Sequence, residues 1–152
     1  KKSKRISTPL FLKISPDIND QDIGHIIELI FKYNLEGIIL ANTSDKNREN
    51  LKSNQKMEKG GLSGYPIKDI STDIIKKFYK ETKGKLSIIG VGGIDSGQSA
   101  FQKISAGANA LQLYTGMIYK GPGLIKEIKK DLIEILKKEK IKNIKEAVGI
   151  AL

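Results

Sequence analysis

Four short runs that are apolar on both faces alternate along this chain with stretches whose apolar residues recur every three to four positions. That alternation restricts the fold more than any other property of the sequence. The runs are PLFLKI (9–14), EGIILA (36–41), LSIIGV (86–91) and ANALQLY (108–114). Strands without a polar face are buried on both sides, the condition of a parallel sheet covered by helices. Between them, DIGHIIELIFKYN (22–34) sets Ile23, Ile26, Ile27 and Ile30 on one helical face, with Asp20 as its N-cap. TDIIKKFYKET (72–82) does the same with Ile74, Ile75 and Phe78, capped by Ser71 and ended by Gly84. Ser96 opens a third helix carrying Phe101 and Ile104, closed by Gly107. Pro122 opens a long fourth helix with Leu124, Ile125, Ile128, Leu132, Ile135 and Leu136 inward. A last short helix starts at Asn143, with Glu146 as its capping-box partner.

The order is therefore strand, helix, strand, long loop, helix, strand, helix, strand, helix, helix. Two α/β architectures satisfy it: a doubly wound parallel sheet, or a stretch of a (β/α)8 barrel. A complete barrel needs about 250 residues, so 152 residues with four strands would supply half of one. The polar stretch from Asn42 to about Asp69, which contains GGLSGYP, shows no periodicity. Such a loop at a strand end is expected to be functional, for instance a lid over substrate. The chain opens on KKSKRISTPLFLKISPD without an initiator Met. It is expected to be one segment, 1–152, of a longer protein whose N-terminal half is absent from it.

Several function classes drop out on composition. Without cysteine and with His25 as the single histidine, thiol nucleophiles, thiolate metal sites and multi-histidine metal sites are excluded, and no metal is expected. No run approaches a membrane span, and no signal peptide or other targeting segment is visible. The net charge of +10 raises nucleic-acid binding, but only Arg5 and Arg48 are arginines. Phosphate and base recognition favour arginine forks with interleaved aromatics. The lysines instead scatter over helix faces, so no nucleic-acid partner is expected. His25, on a helix between Gly24 and Ile26, reads as structural or exposed.

In either architecture ligands bind at the C-terminal ends of the strands. Those ends carry Lys13 and Ser15-Pro16-Asp17, then Asn42-Thr43-Ser44 with Gly60-Gly61-Leu62-Ser63-Gly64, then Gly90, Gly92 and Gly93, then Tyr114-Thr115-Gly116. A dinucleotide fingerprint starting at Gly90 would need a third glycine where Asp95 stands, and no Gly-Lys-Ser/Thr of a Walker loop occurs. What remains is a Gly-rich turn feeding the N-terminus of a helix, an anion site with phosphate as its usual occupant. Each glycine alone could serve only a turn; gathered on adjacent strand ends they favour a ligand. Lys13 either reaches solvent or faces an anion, since burying it unpaired is costly. Asn42 and Thr43 either bind a polar ligand or cap the loop.

The motifs LKISPD, ANTS, GGLSGYPIKDIST, IIGVGGIDSG and GANALQLYTGMIYKGPGLIKEI, in this order over nearly the whole chain, resemble the C-terminal half of the dihydroorotate dehydrogenase family, in its quinone-dependent class 2 branch. The resemblance implies the C-terminal half of an FMN-containing (β/α)8 TIM barrel. It implies oxidation of dihydroorotate to orotate in pyrimidine synthesis, with electrons passed to a quinone. By the same resemblance Lys13 matches a lysine beside the flavin, and Ala41 stands where the family often has a flavin-contacting threonine. Asn42 and Thr43 match substrate-binding residues, while Gly64, Gly93, Tyr114 and Thr115 match the FMN phosphate cradle. Hydride would pass from substrate C6 to flavin N5 while a serine takes the C5 proton. That serine belongs to the family's other half, so no catalytic base is expected here, and Ser63 is not recruited. The segment alone would then be inactive. The resemblance also implies peripheral membrane association through the N-terminal region, at the cytoplasmic face of the inner membrane in a bacterium. Competing readings are another FMN- or phosphate-binding barrel enzyme, a non-catalytic half-barrel binding module and a nucleic-acid binder.

Overall fold

The computed structural model describes residues 8–46 and 48–152; Arg5 lies outside them. Four parallel strands form one sheet: β1 (Phe11–Ile14), β2 (Gly37–Leu40), β3 (Ser87–Val91) and β4 (Ala110–Gln112). They lie in the order β1-β2-β3-β4, each paired in parallel with its neighbours in sequence. A doubly wound sheet reverses its strand order at a switch point; this one does not, and that decides for the barrel stretch. Helices α1 (Asp20–Lys32), α2 (Lys68–Thr82), α3 (Gly97–Ser105), α4 (Thr115–Lys120) and α5 (Leu124–Lys138) fill the connections and follow β4.

Alternate register rows divide the sheet. The row Ile14, Leu40, Gly90 and Leu111 faces the helices, as do Leu12, Ile38 and Ile88. Against them pack Ile23 and Ile30 of α1 and Ile74, Ile75 and Phe78 of α2, the periodic positions of the sequence. Phe78 is fully buried, and removing such a ring from water contributes about 1.5–3 kcal/mol. The opposite face carries Lys13, Ile39, Ile89 and Ala110 in one row, with Lys13 and Ala110 exposed and the two isoleucines half-buried. Ile94, Ala100, Leu124 and Ile128 make a second core between α3 and α5.

Several boundaries differ from expectation. Asn19, not Asp20, is the N-cap of α1; Asp20 begins the helix and pairs with Lys77 of α2 at 2.5 Å. A 3₁₀ turn, Tyr65–Ile67 with Pro66 inside it, leads directly into α2, so this helix starts at Lys68 and Ser71 lies buried in its first turn instead of capping it. Lys83, in the left-handed region, is the C-cap just before Gly84. Pro122 lies just outside α5, whose N-cap is Gly123, and Ile125 is 42 % exposed rather than inward. Asn143 caps the final 3₁₀ turn by accepting from the Lys145 amide. Helix α4 has no counterpart in the expected order of elements.

Candidate functional site

The C-terminal ends of all four strands open into one cleft of about 280 Å³. Lys13, Ala41, Asn42, Thr43, Gly64, Gly93, Tyr114 and Thr115, every residue singled out above for substrate or cofactor, line it. Ser63, Gly92, Ile94 and Gly116 complete the polar and glycine-rich part of its wall, with Ile67, Val91 and Leu113 as its apolar floor. His25 stands apart on α1, exposed and 3.9 Å from Glu28. Lys13 projects from the open face of β1, and no acidic partner pairs with it among the described residues.

The segment after β2 is held from two sides. The Asn42 amide donates to the Ile14 carbonyl at 2.7 Å, and Ser15 Oγ to the Thr43 carbonyl at 3.3 Å. Asp17, which follows β1, accepts from Ser44 Oγ and from the Asp45 amide, each at 2.7 Å. Ser44 and Leu62 exchange backbone hydrogen bonds of 3.0 and 2.7 Å, pinching the long loop shut at its base. Within it, Arg48 donates to the carbonyls of Lys56 at 3.1 Å and Glu58 at 2.9 Å, and to that of Gly60. The loop that shows no periodicity is thus organised about one guanidinium, a planar donor fork that fixes several carbonyls at once. A wider hollow under this loop adjoins the cleft through Ser63, Gly64, Gly93 and Thr115.

The expected anion site on the helix after the Gly-rich turn is not open. At the N-terminus of α3, Ser96 and Ser99 form a reciprocal capping box, and Asp131 of α5 accepts from the Gly97 amide at 3.2 Å. The Gly97 and Ser99 amides are already satisfied and a carboxylate stands over this end of the helix. The open donors lie beside it: the amides of Gly93, Ile94, Thr115 and Gly116 reach no acceptor among the described residues, and all four residues line the cleft. Gly93 has φ +67°, and a Cβ there would lie 2.6 Å from the Lys68 backbone. Gly64 has φ +78°, and its Cβ would lie 2.7 Å from Thr115 Cγ2. Both positions need glycine, and together with the four amides they make a cradle of phosphate chemistry. The fit to the phosphate end of a flavin nucleotide is therefore good. Ala41, with its amide on the Val91 carbonyl at 3.0 Å, has no side-chain hydrogen bond to offer.

Two contributors were not legible beforehand. Ile94 is an ordinary apolar residue in sequence, and its role at the wall comes from the backbone alone. Lys103 is fully buried on α3 behind the Gly92–Gly93 turn. Its signal was present in the sequence as a lysine beside the inward Ile104 and three residues after Ala100.

The family model for dihydroorotate dehydrogenase matches residues 1–136. Curated relatives named dihydroorotate dehydrogenase (quinone) include those of Trichodesmium erythraeum, 45 % identical over 94 % of this chain and 40 % of that protein, and Rippkaea orientalis, 49 % identical over 93 % and 40 %. The mitochondrial enzyme of that name from Oryza sativa subsp. japonica is 41 % identical over 93 % of this chain and 30 % of its own length. The ligand-free crystal structure of the Eimeria tenella enzyme superposes with a TM-score of 0.89 at 41 % identity, covering 93 % of this chain and 39 % of that one. The chain thus spans no more than about two-fifths of the relatives it matches. In sequence and in three-dimensional superposition alike, this chain belongs to the dihydroorotate dehydrogenase family.

Proposed function

We propose that this chain is the phosphate-binding, C-terminal part of a barrel that oxidises dihydroorotate to orotate with FMN as cofactor and passes the electrons to a quinone. The observation that carries the reading is the convergence of eight residues, to which the resemblance assigns substrate or cofactor, from all four strand ends on one cleft. Gly64, Gly93 and the amides of Ile94, Thr115 and Gly116 would hold the FMN phosphate, and Tyr114 would flank it. Bound FMN would supply the hydride acceptor, chemistry that no amino-acid side chain offers. Lys13 would bring a positive charge to the flavin, stabilising negative charge that develops on reduction. Asn42 and Thr43, exposed at the cleft and held by the Ile14 carbonyl and by Ser15, would hydrogen-bond the polar rim of the substrate. By the family resemblance, the substrate proton would be taken by a serine of the family's other half. A quinone acceptor would be dissolved in lipid, so the whole protein would associate peripherally with a membrane surface.

The test is a visible absorption spectrum of the natively expressed protein that carries this chain, before and after anaerobic addition of dihydroorotate. Flavin bands that bleach are the expected result. Bands that persist remove the substrate assignment and leave a flavin barrel; absence of bands removes the cofactor.

A further inference from the structure

Lys103 has 0 % of its surface exposed, yet its Nζ is fully engaged. It donates to the Lys68 carbonyl at 2.6 Å, to Ser71 Oγ at 2.6 Å and to Thr72 Oγ1 at 2.5 Å. Three donors meet three acceptors, the full capacity of an ammonium. All three acceptors lie in the first turn of α2. Each hydroxyl, having accepted from nitrogen, keeps its own proton to give. Thr72 gives it to the Lys68 carbonyl at 2.8 Å, within the same turn. Ser71 Oγ lies 3.4 Å from the same Lys68 carbonyl, which Lys103 and Thr72 already occupy, and 3.3 Å from the Gly92 carbonyl outside the helix, which is the acceptor left for its proton.

That carbonyl belongs to the same peptide plane as the Gly93 amide. In a trans peptide the C=O and N–H point in opposite directions, so fixing one fixes the other. Resting on the reading that the cleft holds FMN, we propose that Lys103 is a positioning residue for the phosphate cradle. Its ammonium commits Ser71 to donate to the Gly92 carbonyl, which keeps the Gly93 N–H turned away from α2 and toward the phosphate.

The charges around Lys103 support a dependence on pH. Burial pushes its ammonium down to about 7, Lys68 adds to that, and Asp69 and Asp73 pull the other way. Strands β3 and β4 and the rest of α3 carry no charged residue, and Asp131 of α5 meets α3 at Gly97, at the far end from Lys103. A neutral amine has two protons for three acceptors and a lone pair that takes a hydroxyl proton. Once that proton is Ser71's, Gly92 loses its donor.

The experiment uses the natively expressed protein stripped of flavin and titrated with FMN by fluorescence, as wild type, Ser71→Ala and Thr72→Val, from about pH 6 to about pH 8.5. Dividing each variant's Kd by that of the wild type cancels ionisation of the FMN phosphate itself. For Ser71→Ala the ratio should be about tenfold at the acid end, the value of one lost hydrogen bond, and fall toward one at the alkaline end. For Thr72→Val, which also loses a contact to Lys103 but none to Gly92, it should stay within about twofold. A Ser71→Ala ratio of one at every pH, a ratio that does not change with pH, or the same ratio in Thr72→Val overturns the proposal. A wild type that takes up no FMN overturns instead the cofactor reading on which it rests.

Discussion

Thr115 Oγ1 donates to Ser63 Oγ at 3.0 Å, and this bond ties the loop after β2 to the first turn of α4 across the cleft. The neighbouring Gly64 packs against the methyl group of the same threonine. The joint is closed by a hydrogen bond on one side and by contact on the other, with space at residue 64 for hydrogen only.

Gly64→Ala should therefore cost about 1–3 kcal/mol, from the positive φ and the clash together. It should also leave the purified protein with a smaller share of bound flavin. Gly24→Ala is the counterpart: Gly24 lies within α1 with nothing within 4 Å of an added Cβ. That change should stabilise by about 0.4–1 kcal/mol. Thermal denaturation and the flavin-to-protein absorbance ratio measure both.

Asp17 serves the turn after β2 rather than any ligand, because its two oxygens are taken by Ser44 and the Asp45 amide. Removing it leaves the buried Ser44 hydroxyl without that acceptor, at a cost of about 1–3 kcal/mol. On the proposed function, and since Asn42 and Thr43 directly precede that turn, Asp17→Ala is expected to raise KM for dihydroorotate more than it lowers kcat. Steady-state kinetics with a soluble quinone would read the split; a fall in kcat alone would contradict it.

Arg48 holds three carbonyls of its own loop, a task a lysine ammonium cannot do in the same geometry. Arg48→Lys should therefore speed proteolytic cleavage between residues 49 and 60 several-fold while leaving the global melting temperature within about 2 °C. Timed digestion followed by mass spectrometry locates the cuts.

Burial of Lys103 also makes stability depend on pH. Its ammonium lies at about 7 in the fold against the ordinary 10.5, so between these values the unfolded chain binds the extra proton. Stability contributed by this group therefore rises with pH across that window and is level below it. The unfolding free energy of the wild type relative to Lys103→Met should grow by up to about 1.4 kcal/mol per pH unit above neutrality. Urea unfolding at a series of alkaline pH values checks the sign, and a difference that shrinks as pH rises would refute it.

The sequence was most legible where burial imposes a period. Ile23, Ile30, Ile74, Ile75 and Phe78 occupy the positions that helical spacing assigns them, because one face of each helix must cover the sheet. The strand-end glycines were legible as a group for a different reason: Gly64 and Gly93 adopt backbone angles that other residues resist. Helix α4 was not legible, since the six residues TGMIYK, one of them Gly116, are too few to establish a period. The start of α2 was misplaced because Pro66 builds a 3₁₀ turn that opens the helix without a side-chain cap. The helix after Gly93 was credited with an anion site that Asp131, remote in sequence, already satisfies. Local spacing carries no information about a partner that distant.

The strand order has a consequence for biosynthesis. Because β2, β3 and β4 each pair with the strand just before them, every strand after the first meets a neighbour that has already left the ribosome. Each strand of this sheet waits only for its immediate successor, so the sheet can grow by accretion at a single moving edge. The loop from Asn42 to Gly64 is then the one long pause in that growth, and the pairing of Ser44 with Leu62 brings its two ends together before β3 arrives.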